Sequence, residues 1–343
     1  MDIPTEPIGS IPRPRELLAG GASEEVVDSA VADTIQRFEA TGSPVITDGE
    51  QRKPSFVTYP IAGAPNLAPD GVTIPFADGH TRQLPRLTAG PFRYQTYAGT
   101  YLAGAKAYAS RPVKQAVISA SALSLLYPAD GIDGYPQEAF LGDLVEGAVA
   151  DIRSALEAGA HNVQIDFTEA RLSLKLDPSG GLLRSFVALN NRVLARLTDA
   201  ERRRVGVHTC PGGDQDSTHS ADVDYADLLP TLFELDVANF YIALASEPDQ
   251  ARVLGIIREH LQPGRRVFVG VIDPIDPRVE SADEVRDRVL EAAELIPVEQ
   301  LGTTDDCGFS PFGDDVSTAR DTAFAKIAAR VEGTKLAERE LAS

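Results

Sequence analysis

Eight short apolar runs recur along this 343-residue chain, and the stretches between them carry the three-to-four-residue periodicity of amphipathic helices. The runs cover residues 7–10, 45–48, 116–119, 163–166, 205–208, 240–244, 268–273 and 301–306. Runs this short and this apolar suit strands buried on both faces, as in a parallel sheet covered by helices. The helices announce themselves by position. Over residues 23–41, Val27, Val31, Ile35 and Phe38 share one face, and Gly42 follows as a residue that readily takes the left-handed conformation ending a helix. Residues 137–158 repeat the pattern with Phe140, Leu144, Ala148, Ile152 and Leu156, and Ser281 with Glu284 has capping-box spacing ahead of Val285, Val289 and Ala292. Further helices are predicted over 181–197, 225–233, 248–260 and 317–331. The alternation predicts one α/β domain over residues 1–343, a (β/α)8 TIM barrel. A doubly wound open sheet is the alternative, but no glycine-rich dinucleotide fingerprint follows the first run.

One segment breaks the alternation. Residues 54–112 are rich in proline, glycine and tyrosine, and residues 72–76 followed by Asp78-Gly79 read as a β-hairpin. An excursion of this length, inserted after strand two, is expected to cap one end of a barrel as a lid or substrate-binding extension; an interface or stabilising flap is the competing reading.

In a parallel barrel the reactive groups sit where strands end, and polar residues accumulate there. Ser10 ends the first run, and Asp48 and Glu50 the second; Ser119 and Ser121 follow the third, and Asp166 and Glu169 the fourth. His208 and Cys210 end the fifth, Asp273 the seventh, and Cys307, the only other cysteine, follows the eighth. In a strand, residues two apart face the same way, so the His208 imidazole and the Cys210 thiol converge. A buried cysteine is more often a small core hydrophobe than a ligand. Convergence on one mouth favours a metal: one nitrogen and two sulfurs suit zinc, and three protein ligands with a fourth position open is the arrangement of a catalytic site. Gly212-Gly213 could cradle an anion or simply form a turn, and Arg52-Lys53 could bind a carboxylate, sulfonate or phosphate or be solvated surface.

The segments IGSIPRP at 8–14, TDGEQ at 47–51, IDFTEAR at 165–171, HTC at 208–210, GVIDP at 270–274 and DCGF at 306–309 together resemble the cobalamin-independent methionine synthase family, in order along the whole chain. The likeness is to the C-terminal catalytic barrel of the long enzymes. It implies zinc on His208, Cys210 and Cys307, and a homocysteine-like thiol held by Ile8, Ser10, Asp48, Glu50, Ser119 and Asp166, with Glu50, Asp166 and Asp273 in catalytic roles. It further implies transfer of a methyl group from a folate or methylcobalamin donor to the sulfur of a zinc-activated thiolate. The chain also departs from the family. Ala243 stands where a glutamate ligand is expected and Ile275 where a catalytic histidine is, and there is no tryptophan to stack on a folate. Alternatives are an alkyl transferase or lyase of the epoxide:coenzyme M transferase type, a zinc-free decarboxylase on a related barrel, or a degenerate thiol-binding homologue.

Composition narrows the partners. A formal net charge of -19 argues against nucleic acid and anionic membrane surfaces. The N-terminus lacks the apolar core of a signal peptide, so a cytoplasmic protein with reduced cysteines is expected, and a homo-oligomer is left open.

Overall fold

The computed structural model describes residues 2–18 and 20–343. Six strands, Gln115–Ile118, Val163–Asp166, Val205–Thr209, Asn239–Ile242, Arg266–Ile272 and Leu301–Asp305, form one parallel sheet in sequence order. Almost every residue in them is buried, as the unbroken apolar runs require. The helices Gln137–Glu157, Gly181–Leu194, Tyr225–Leu232, Gln250–His260 and Ala282–Leu295 fall between successive strands. Ser281 and Glu284 form the capping box expected of them, each accepting the other's backbone N–H.

The first two of the eight expected strands are not regular strands. Residues 3–10 and 45–48 run extended along the two edges of the sheet, joined by single parallel bridges, Thr5 to Thr303 and Ile46 to Val113. Pro4 and Pro7 have no N–H to give a ladder, and the second segment turns away at Gly49 and Glu50, both at positive φ. The two segments meet each other through the Thr47 hydroxyl, which donates to Gly9 O at 2.7 Å, and through Ile11 N, which donates to Gly49 O at 3.0 Å. The last helix, Arg320–Leu341, runs ten residues past the end read from sequence. Gly333 does not stop it: a Cβ there would come within 2.4 Å of Val285 Cβ, so this glycine allows close packing on the neighbouring helix.

Within the 54–112 excursion, Thr73–Pro75 pairs antiparallel with Thr81–Gln83 as the hairpin expected, and Leu67–Ala68 pairs with Arg86–Leu87. The excursion ends in a helix, Ala98–Lys106, packed on Gln137–Glu157. Among the described residues, no helix is long and apolar enough to cross a membrane.

Buried charge holds the proline-rich first segment in place. The Glu6 carboxylate accepts from Asn162 Nδ2 at 3.0 Å and Tyr241 Oη at 2.7 Å, and lies 3.6 Å from Lys114 Nζ. Lys114 in turn donates to Gln164 Oε1 at 2.8 Å, and burial pushes its ammonium down to about 8. From the last helix, Arg330 donates to Glu6 O and to Asp305 Oδ2. Removing one member of such a group leaves its partners charged and dry, which costs about 3–5 kcal/mol. Glu6→Ala is therefore expected to lower stability by about that much in chemical denaturation; a loss within measurement error would mean the network does not hold this segment.

Candidate functional site

Parallel pairing puts all the strand ends at one edge, and register sets which side chains meet. Asp166 is opposite His208, and His208 is opposite Tyr241, across three adjacent strands. One nitrogen of His208 and the sulfurs of Cys210 and Cys307 lie within 4.8 Å of one another. The two sulfurs are 3.1 Å apart, well beyond the ~2.05 Å of a disulfide, and both thiols are free. His208 Nδ1 faces the carbonyl of Tyr241 at 3.2 Å. A carbonyl only accepts, so Nδ1 carries the proton and Nε2 keeps the lone pair. That Nε2 is buried without a partner, at a cost of about 1–3 kcal/mol.

An orphaned imidazole nitrogen beside two convergent sulfurs fits a metal, and His208, Cys210 and Cys307 could hold one. Among the described residues no second such group forms. Burial pushes the Cys210 thiol up, whereas the hydrogen bond from Cys210 holds Cys307 below the usual thiol range.

Ile8, Ser10, Glu50, Asp166, His208 and Cys307 line a single cavity of about 210 Å³. Glu50 reaches it because the turn at Gly49 and Glu50 takes positive φ, 65° and 58°. Its carboxylate is 2.9 Å from Lys53 Nζ, which also donates to Ala116 O, and both side chains are buried. Asp166 accepts from Gln164 Nε2 at 2.7 Å, and burial, with Glu50 next, pushes its carboxyl up to about 6. Ser10 Oγ accepts from Ser310 N at 3.1 Å.

Asp48, Ser119 and Asp273 are not among the residues lining this cavity. Asp48 stands behind Glu50 and accepts its N–H at 2.9 Å. Ser119 caps the short Ala120–Ser124 helix through Ala122 N at 3.1 Å. Asp273 turns to Ile275 N at 3.0 Å, beyond a break in strand register between Gly270 and Ile272.

Other residues named from the sequence outside the candidate site set also surround the cavity. Lys53, whose alternative reading was solvated surface, is fully enclosed, while its neighbour Arg52 pairs with Glu24 and Asp28 outside. Glu169 lines the cavity, with Oε1 taking both the Ser119 and Ser121 hydroxyls and Oε2 buried without a partner. The hairpin contributes Ile74, Phe76 and Arg82, and the loop after Cys210 contributes Gly212 and His219. Gly212 has positive φ, and a Cβ there would lie 1.8 Å from His219 Nε2, so only glycine fits beneath that ring. Burial pushes the His219 imidazole down to about 4.

Residues 15–329 match the cobalamin-independent synthase catalytic-domain family. The chain belongs to this family. Among its relatives, a methionine synthase of Sulfurisphaera tokodaii is 23% identical over 99% of this chain and 94% of its own length. A 5-methyltetrahydropteroyltriglutamate–homocysteine methyltransferase of Nitratidesulfovibrio vulgaris is 25% identical over 89% of this chain, which spans only 38% of that enzyme. A 2-hydroxypropyl-CoM lyase of Xanthobacter autotrophicus is 35% identical, over 34% of this chain and 30% of its own length. The solved B12-independent methionine synthase of Shewanella sp. W3-18-1 superposes with a TM-score of 0.79 at 19% identity, covering 99% of both chains, and so shares the fold.

Compared with what the family resemblance implies, the end of the Asn239–Ile242 strand is altered. Ala243 is buried there, its carbonyl accepting from Tyr225 Oη at 2.8 Å. The nearby Glu247 is drawn to Arg171 at 2.7 Å.

Glu169 gives this cobalamin-independent synthase domain a pH dependence of definite sign. Burial pushes its carboxyl from 4.5 to about 7, so the folded state holds the proton more tightly than the unfolded chain. That stabilisation is fully present below about 4.5 and is lost as pH rises through about 7. Between pH 5 and 8 the wild type should lose on the order of 3 kcal/mol relative to Glu169→Gln, which cannot ionise. Parallel denaturation curves at the two pH values check this, and a gap that stays constant would place Glu169 in its ionised form throughout.

Proposed function

We propose that this domain is a zinc-dependent S-methyltransferase acting on a homocysteine-like aminothiol. The single observation that carries the reading is the convergence of unpartnered His208 Nε2 with the Cys210 and Cys307 sulfurs beside a cavity that His208 and Cys307 line together with the buried carboxylates of Glu50, Asp166 and Glu169. Family membership supports it. Zinc held by His208, Cys210 and Cys307 would lower the pKa of an incoming thiol so that it reacts as a thiolate at neutral pH. The sulfur would then form its bond to the methyl carbon as the donor's bond to that carbon breaks, the electron pair of that bond staying on the donor, which takes up a proton in place of the one lost by the thiol.

The chain's own residues set which thiol enters. Glu50 is neutralised by Lys53, and Glu169 accepts two serine hydroxyls and is pushed toward its neutral form by burial, which leaves Asp166 to present the cavity's negative charge once ionised. At about 4 Å and an effective dielectric near 20, an ammonium beside it gains roughly 4 kcal/mol and a sulfonate loses as much. This favours an aminothiol over a sulfonated thiol such as coenzyme M. The hairpin, through Ile74 and Phe76, is proposed as the roof of the cavity; its turn is held to the loop after Cys210 by Ala77 N donating to Thr218 O at 2.9 Å. At about 210 Å³ the cavity is below the usual ~300–1,000 Å³ of small-molecule pockets, so it suits the thiol, and the body of a methyl donor extends past the hairpin.

Purified protein is expected to carry close to one zinc per chain, and Cys210→Ser or Cys307→Ser to lose it with the fold intact by circular dichroism. Metal content unchanged in both variants would end the zinc assignment. X-ray absorption should count two sulfurs on the metal at rest and three with homocysteine bound.

Asp166→Asn should keep the metal and weaken homocysteine binding at least tenfold, since a charge-assisted hydrogen bond is worth about 1.5–3 kcal/mol. Equal calorimetric affinity for homocysteine and its deaminated analogue would show that the carboxylates do not read the ammonium.

A further inference from the structure

Asp306 is a buried carboxylate that the proposed chemistry does not use, and it is unusually well gripped. It accepts three backbone N–H groups from one turn: Leu244 at 2.7 Å, Ala245 at 2.8 Å and Ser246 at 2.8 Å. Its own N–H donates to Ile272 O at 2.8 Å. One residue therefore ties together the ends of three strands, Asn239–Ile242, Arg266–Ile272 and Leu301–Asp305. Gly270 makes the space for this, because a Cβ there would lie 1.8 Å from Asp306 Oδ1.

The next residue is Cys307. On its far side the chain is pinned again: a Cβ on Gly308 would come 2.2 Å from Ser10 Oγ, and Phe309 N donates to Ser10 O at 3.0 Å. Cys307 is thus a single residue held between two fixed points, with its sulfur 3.1 Å from that of Cys210. The turn that Asp306 grips begins right after Ala243. Its backbone N–H groups all point to Asp306, and its residues, Leu244, Ala245 and Ser246, carry no carboxylate, imidazole or thiol.

We propose that Asp306 is a positioning residue for the metal centre. It sets Cys307 in ligating geometry and at the same time holds the 244–246 turn, so that the metal keeps a position for substrate. This rests on the reading of His208, Cys210 and Cys307 as metal ligands. Asp306 touches neither thiol nor donor; it acts through Cys307 and the turn.

The test is zinc affinity, measured by chelator competition on the full chain. Asp306→Asn keeps the shape but turns an amide NH2 toward a backbone N–H that now has an acceptor. Gly270→Ala leaves the carboxylate chemically intact and pushes it off its three donors. Both are expected to weaken zinc binding about ten- to a hundredfold, as losses of such supporting hydrogen bonds do. In cobalt-substituted protein, the thiolate-to-metal charge-transfer band should fall in both, as Cys307 leaves the metal. Ser281→Ala, which removes a helix cap and lowers stability away from the site, is the control and should leave zinc affinity unchanged.

If Asp306→Asn or Gly270→Ala melts earlier yet binds zinc with wild-type affinity and an unchanged cobalt spectrum, Asp306 is a structural clamp and the proposal falls. Should one of the two fail to fold, the other decides on the same criteria. Wild-type protein that binds no zinc, or binds it equally well as Cys307→Ser, would overturn the metal reading itself and this proposal with it.

Discussion

The fold depends on a buried charge cluster that does the work a β-ladder cannot do for the first segment. Pro4 and Pro7 deny that segment regular pairing, yet it must deliver Ile8 and Ser10 to the cavity. Glu6 supplies the anchor through Asn162, Tyr241 and Lys114, and Arg330 ties the same segment to Asp305 and to the last helix. Replacing such groups by apolar residues of the same volume would often be neutral or stabilising, so burial of charge here is not explained by stability alone. What the charges provide is direction. They fix one placement for a strand that hydrogen-bond register would otherwise leave free to slide.

That network also reaches the site without a break. Lys114 donates to Gln164 Oε1, and Gln164 Nε2 donates to Asp166 Oδ1, so the amide cannot flip and the Asp166 carboxylate on the cavity lining is held in place. The residue opposite Asp166 in register is His208, whose ring is set by the Tyr241 carbonyl, and Tyr241 Oη returns to Glu6. A single set of buried polar contacts therefore fixes the cavity-lining Asp166 carboxylate and the proposed metal-ligating imidazole together. Moving either would leave a buried donor or acceptor unmatched.

Much of this was readable in the chain, for definable reasons. The pairing of His208 with Cys210 follows from strand periodicity of two, which holds wherever a strand is regular. Six of eight strands were regular, and their ends lay within two residues of the expected positions. The first two were not, because proline and the positive-φ turn at Gly49 and Glu50 remove donors and bend the chain. The same turn explains Lys53: Arg52 and Lys53 look alike in sequence, but the bend sends one out to Glu24 and Asp28 and the other in to Glu50. Asp273 was read as facing the mouth, but the register break between Gly270 and Ile272 stands between it and its strand. Glu169 was legible as a residue after a strand end. Its pairing with two serines was not, since that contact joins segments 48 and 50 residues apart.

The proposed donor side of the cavity differs in kind from the thiol side. With no tryptophan in the chain, a flat donor could stack only on phenylalanine or tyrosine, and the phenylalanines at the mouth are already engaged. Arg82 lies 4.2 Å over the Phe312 ring, and Phe56 meets the same ring edge-on at 5.6 Å. Phe76 is stacked on His80 at 4.3 Å and touches His219 with its edge. What remains is aliphatic: Leu84, Leu125 and Leu172. Contact with such a wall stabilises by about 25 cal/mol per Å² and carries no orientational preference. Orientation must then come from the few polar atoms of the lining, among which Glu169 Oε2 is buried without a partner. Under the proposed function, a donor held this way would be fixed by one hydrogen bond and by shape and the thiol by charge, so discrimination between substrates would be concentrated on the sulfur side.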